Sequence, residues 1–172
     1  MSAVARAGAS LLALLTASAC SADRIERGVF HSKKGYEVRL PPGAGWQVAP
    51  SSRADLELKR TAPPAGMLAD ATCGERVARR SPETLVRYLV FGLTQRSDVR
   101  TEPVTVRGRP GARTTLRGQL DGAEVAVDAV SVKDGPCVYD FLYVAPVEGF
   151  EAGRADFQAF VESLALPETV TR

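Results

Sequence analysis

Few side chains in this 172-residue chain could do chemistry. There is one histidine, His31, and there are three cysteines, Cys20, Cys73 and Cys137. Zinc sites draw on several His or Cys ligands, and no CxxC occurs. His31 therefore reads as a solvated residue of the entry segment, and no metal or cofactor is expected. Nucleophilic catalysis needs a nucleophile, a base and an orienting group. With one histidine and no GxSxG, Ser131 and Ser163 read as ordinary strand and helix residues. Carboxylates remain. Asp70, Glu75 and Asp140 stand out, because Asp70 and Asp140 lie in apolar strands where burial perturbs an acid. Acids distant in sequence can converge into a pair of the kind glycoside hydrolases use. The plainer expectation is ion pairing with Arg76, Arg79 or Arg80. Neither a Walker loop nor GxGxxG is present, and Gly108 to Gly111 reads as a turn.

The N-terminus says where such side chains would work. Met1 to Arg6 carries one positive charge, Ala7 to Thr16 is uncharged with a Leu-rich middle, and Ala17, Ser18 and Ala19 precede Cys20. That is the order of a secretory signal over residues 1–19, and the apolar run is about half the roughly 20 residues a spanning helix needs. Cysteine directly after the small residues resembles the bacterial lipoprotein signal, which implies acylation of Cys20 as the first mature residue. Membrane attachment through the N-terminal acyl anchor follows, because two or more buried chains hold a protein lastingly. Ser21, where an Asp would signal inner-membrane retention in the resembled proteins, points to the outer membrane facing the periplasm. The rival is ordinary cleavage after Ala19, which leaves Cys20 as a third and odd thiol in an oxidising compartment. With Cys20 acylated, Cys73 and Cys137 remain as a pair. Disulfides persist outside the cytosol, and bridging 64 residues would contribute about 4 kcal/mol in the loop-closure model. The alternative is two separate buried thiols.

Composition narrows the partners. Arg6 is the one charged residue among the first 19, so the formal net charge of +2 for the whole chain falls to about +1 once they are removed. Nucleic-acid recognition shows as a basic excess on one face, so no nucleic acid is expected. Val106 to Arg113, the densest basic stretch, straddles a Gly-Arg-Pro-Gly turn and reads as a solvated hairpin tip.

The elements that must position these residues follow from periodicity. Residues 20–29 are polar and aperiodic and read as a tether, 30–167 as one domain, and 168–172 as a tail. Tyr36, Val38 and Leu40 alternate with charged residues, as do Leu56 and Leu58, and each set predicts a half-buried strand. Trp46 and Val48 restart the alternation between them. Thr61 to Gly66 reads as a breaker and Met67 to Cys73 as a further strand. Ser81, Pro82 and Glu83 give a cap, a first-turn proline and a first-turn acid. The helix behind them is predicted to bury Leu85, Tyr88, Leu89 and Leu93, widened by Val86, Val90 and Phe91. Gly92 near its end suggests close packing or fraying. Val99 to Asp134 reads as three strands, with Asp121-Gly122 a strong hairpin signal. Cys137 to Val144 is apolar on both faces and therefore central, so Asp140 within it needs a partner or a place at the edge of the covered region. Ala155 to Leu166 predicts a closing helix. Strands joined by hairpins with helices to cover them make an α+β layered domain with a largely antiparallel sheet.

The segment Gly35 to Pro41 with Trp46 beyond it, the Ser81-Pro82-Glu83 helix, the hairpin meander and the Phe157, Phe160, Val161, Ser163 helix resemble the PsbP-like fold. The resemblance implies an α/β/α sandwich around an antiparallel sheet, and binding or assembly in place of catalysis. It assigns no site residue. The resulting expectation is an envelope lipoprotein that binds a protein or envelope component. A carboxylate-pair hydrolase and a carrier of a small ligand or lipid are the alternatives.

Overall fold

The computed structural model describes residues 22–50 and 53–166, so Cys20 and the leader lie outside the described residues. Among the described residues ten strands form two antiparallel sheets. The small one contains β1 (Arg24–Glu26), β2 (Val29–His31) and β3 (Glu37–Arg39). The large one contains β4 (Gln47–Ala49), β5 (Leu56–Thr61), β6 (Pro64–Cys73), β7 (Thr94–Val106), β8 (Arg109–Leu120), β9 (Ala123–Asp134) and β10 (Cys137–Pro146), in the order β4-β5-β6-β10-β9-β8-β7. The helices are α1 (Glu75–Ala78), α2 (Pro82–Leu89) and α3 (Glu151–Glu162).

Strand β10 is central as its two apolar faces require, paired with β6 on one side and β9 on the other. Its residues Tyr139, Phe141 and Tyr143 face α3, where Phe157 and Phe160 complete an aromatic core. The small sheet packs on this same face, since Tyr36 meets Tyr139 ring to ring at 5.5 Å. The chain after α3 is tied to β3 by the mutual backbone hydrogen bonds of Glu37 and Ala165, both 2.9 Å. On the opposite face α2 lays Val86 and Val90 over Ala112, Leu116, Val127 and Ala129. The domain is thus an α/β/α sandwich.

Several expectations need correction. Residues 24–29 do not form a free tether: they are β1 and its turn into β2, with Arg27 and Gly28 at positive φ. Thr61 to Gly66 is not a break but a tight hairpin, because Thr61 pairs directly with Pro64 across a cis Ala62–Pro63 bond. Strand β7 starts at Thr94, five residues earlier than the expected Val99, with four residues between it and the end of α2. Helix α3 begins four residues earlier than periodicity suggests, and Phe157, Phe160, Val161 and Leu164 are all buried as expected. Gly92 lies past α2, which ends at Leu89 in keeping with fraying there, and a Cβ at Gly92 would touch nothing, so close packing does not explain it. Tyr88 and Phe91 are exposed, not buried. At about 100° per residue, Tyr88 sits some 200° round the helix from Val86, which is the residue the sheet selects.

Candidate functional site

The three acids singled out from the sequence do not converge. Glu75 opens α1 in solvent, 3.4 Å from Arg79. Asp70 and Asp140 do come together, directly opposite on β6 and β10, but neither pairs with Arg76, Arg79 or Arg80. Asp140 accepts a 2.5 Å hydrogen bond from Ser131 Oγ on β9. Burial pushes its carboxyl up to about 6, with Asp70 adding to the rise, against the lowering effect of the Ser131 bond. Asp70 is held by Lys34. The Lys34 ammonium donates to Asp70 Oδ1 at 3.0 Å and to the Ala71 carbonyl at 2.6 Å, and stands 2.8 Å from Asp55 Oδ1. Its three protons thus have three acceptors. Burial alone would lower the lysine pKa, but the two carboxylates outweigh it and the net shift is upward.

Two buried acids escaped the sequence reading. Asp55 accepts from the Tyr36 hydroxyl and from the Ala71 amide, both at 3.0 Å. Burial, reinforced by Asp55, pushes the Tyr36 hydroxyl upward. Asp128 is fully buried on β9 and forms a bidentate pair with Arg113, one arm 2.7 Å from Arg113 Nε and the other on Nη2. That hydrogen-bonded carboxylate holds the Arg113 pKa up. Arg113 therefore belongs to a buried pair, and the tip of its hairpin is Arg107-Gly108, both at positive φ. The alternation of β9 places Asp128 and Ser131 on opposite faces, but an unbroken row of buried residues hides which polar ones have partners.

The remaining candidates have structural roles. His31 is half-buried in β2 with Nδ1 2.7 Å from Glu37 Oε1, so it is part of the small sheet and not a solvated entry residue. Ser163 Oγ donates to the Phe160 carbonyl at 2.6 Å and accepts from the Arg39 amide at 2.8 Å, joining α3 to β3. Cys73 and Cys137 face each other in register and are bonded, with Cα atoms 4.0 Å apart. Among the described residues no three His, Cys, Asp or Glu side chains are grouped to hold a metal ion. Among them, too, no helix is long and apolar enough to cross a membrane.

The acids are therefore committed within the fold, and the open chemistry lies elsewhere. Between α2 and the β7–β8 edge runs a groove of about 660 Å³. Val90 and Leu116 form its floor, and Tyr88, Phe91 and Val99 stand on its rim with 56%, 75% and 59% exposure. Ser81 Oγ caps α2 by accepting from the Thr84 amide, which satisfies one of the free donors of its first turn. Lys133 on β9 donates to the Val77 and Ala78 carbonyls at 2.8 and 2.9 Å, satisfying the end of α1. That bond, with a third to the Arg80 carbonyl at 3.3 Å, holds the loop carrying Arg80. Arg80 in turn lies 4.9 Å over the Tyr88 ring and donates to its hydroxyl, so the tyrosine is pinned upright.

The opposite wall depends on irregularity in β7. Register shifts lie between Thr94 and Ser97 and between Ser97 and Arg100, with Gln95 and Asp98 at positive φ. Residues three apart on a regular strand point to opposite faces, and a bulge re-aims them. Arg96 and Val99 consequently share the α2 face. The lining contains Arg87 and Arg96 and no carboxylate. Among the described residues neither arginine forms an ion pair, and the nearest acid on α2, Glu83 one turn before Arg87, feels the Arg87 charge from outside the groove lining. A second groove, of about 340 Å³ beside the start of α3, is lined by Arg100, Arg117 and Arg154 but holds acids of its own, Asp98 at 3.7 Å from Arg117 and Glu151 at 3.1 Å from Arg154.

No family model and no curated protein matches the sequence. Among solved structures, one from Bacteroides thetaiotaomicron VPI-5482 superposes with a TM-score of 0.62 at 10% identity over 83% of this chain. The chain spans about half of that protein's length, 49%. LpqN, described as involved in cell envelope biogenesis of Mycobacterium tuberculosis, gives 0.56 at 15% identity over 77% of this chain and 84% of its own. Cyanobacterial PsbP from Synechocystis sp. PCC 6803 gives 0.55 at 12% identity over 78% and 88%. At such identities the likeness is one of fold, and the fold is α+β and PsbP-like.

Proposed function

We propose that this chain is an exported lipoprotein, anchored through Cys20, whose domain has a non-enzymatic binding or assembly role in the bacterial cell envelope. The observation that supports it most is a division of labour. Asp55, Asp70, Asp128 and Asp140 are each occupied by a partner inside the domain. The α2–β7 face, by contrast, exposes three large apolar side chains around a groove. Patches of that kind mark interaction sites more often than catalytic ones. The secretory leader, the cysteine after Ala19 and the disulfide agree with work outside the cytosol. A shared fold with a protein described as involved in cell envelope biogenesis agrees with the location. The carboxylate-pair hydrolase has one point in its favour, the raised Asp140 opposite Asp70. Against it, both acids are held by internal partners, and neither lines the two grooves described above.

Intact-mass analysis of the membrane-extracted protein tests the proposal. The expected species starts at Cys20, carries acyl mass and lacks two hydrogens for the Cys73–Cys137 bond. Cys20→Ala should move the protein to the soluble exported fraction. An unacylated native chain that fractionates without membrane would contradict it.

A further inference from the structure

We propose that the α2–β7 groove docks an acidic, amphipathic segment of a protein partner. This rests on reading the domain as a binding module and names what it binds. An apolar side chain of the segment seats on Val90 and Leu116, and flanking carboxylates pair with Arg87 and Arg96. Two arginines line the groove with no acid among the lining residues, Arg96 without any ion pair and Arg87 with only Glu83, outside the lining, to offset it. A carboxylate placed there gains a partner, and guanidinium groups match carboxylates in two-pronged geometry. Exposed Tyr88 and Phe91 are of the residue types that dominate binding energy at protein interfaces. Tyr88 is already held by Arg80, so little side-chain freedom is lost when it is covered.

Two other occupants fit less well. A small ligand is normally enclosed over most of its surface, whereas Phe91 is three-quarters exposed at the groove's edge and needs a longer partner to cover it with Val99. A bilayer is disfavoured by position. Cys20 lies four residues before β1, a reach of at most about 14 Å, and β1 belongs to the sheet on the α3 face. The groove is on the other face, at β7, and four strand spacings from β6, roughly 19 Å. The groove and the end of the chain that carries the anchor thus lie on opposite faces of the sheet.

The test is panning of a random 12-residue peptide library on the purified full chain in detergent, followed by fluorescence anisotropy of the enriched peptides. The expected winners combine Asp or Glu with an aromatic or branched aliphatic residue. Their affinity should drop about tenfold or more for Phe91→Ser, and likewise for Arg87→Glu with Arg96→Glu. Replacing the peptide's acids by lysine should restore binding to that double arginine variant, which a misfolded protein could not do. The proposal is overturned if no enriched peptide depends on Phe91 or if lysine-rich peptides win on the unaltered chain. It is equally overturned if the Phe91-dependent binding is to phosphatidylglycerol vesicles, or is self-association seen by sedimentation. Acylated protein that binds no such peptide removes the groove assignment alone, and unacylated protein that does bind removes the anchor alone.

Discussion

Asp70 and Asp140 stand directly opposite each other on β6 and β10, yet each carboxylate is held by a different partner, Lys34 for one and Ser131 for the other. Burial raises the Asp140 carboxyl above its ordinary range, and the neighbouring Asp70 adds a smaller push in the same direction. The folded-state pKa of Asp140, about 6, lies above the unfolded 3.8, so between those values the native state holds the extra proton. The contribution of Asp140 to stability is therefore fullest below about pH 4 and is lost as pH rises through about 6. Asp140→Asn keeps an acceptor for Ser131 and removes the titration. Relative to the original chain, the variant should gain on the order of 2 kcal/mol between pH 4 and pH 7. Urea unfolding at several pH values reads this directly, and parallel curves for the two proteins would refute it.

Arg113 and Asp128 make a second prediction. Removing one member of a buried pair strands the other, at a cost of about 3–5 kcal/mol, whereas replacing both with apolar groups is far milder. Arg113→Met should therefore destabilise strongly, and Arg113→Met with Asp128→Leu should recover most of the loss. Denaturant midpoints for the two variants decide it.

The Cys73–Cys137 bond closes a loop with 64 residues of separation between its ends. Replacing both cysteines by alanine should lower stability by about 2–4 kcal/mol. Calorimetry of the paired variant, with and without reductant, should show reductant sensitivity only in the original chain.

Gly153 is a packing prediction. It faces Tyr143, and a Cβ there would overlap the tyrosine ring and hydroxyl. That hydroxyl donates to the Phe150 carbonyl at 2.8 Å and helps hold α3 on β10. Gly153→Ala should cost about 1–3 kcal/mol, seen as a lower thermal midpoint with the α3 side of the core loosened in hydrogen exchange.

Much of this fold is readable from residue order. Period-two alternation, the Asp121-Gly122 turn and the doubly apolar β10 specify hairpins and a central strand, because those signals are local. The Ser81 cap marks the start of α2 for the same reason. What lies beyond reach is relational. Periodicity alone cannot separate Tyr88 from Val86 as the buried residue, since the small side chains of Ala112 and Ala129 that admit the helix come from strands distant in the chain. Asp55 and Asp128 gave no signal, because their partners Tyr36 and Arg113 are identified only by strand register and loop path. Bulges in β7, which turn Arg96 toward the groove, have no sequence pattern strong enough to place them.

The central claim is that the α2–β7 face is where this domain meets another molecule. Site-specific incorporation of a photo-crosslinking phenylalanine analogue in living cells tests it, with Phe91 replaced in one strain and exposed Val48 on β4 in another. A discrete, reproducible protein adduct is expected from position 91 and none from position 48. Identical profiles from the two positions, or an adduct at 48 alone, would contradict it.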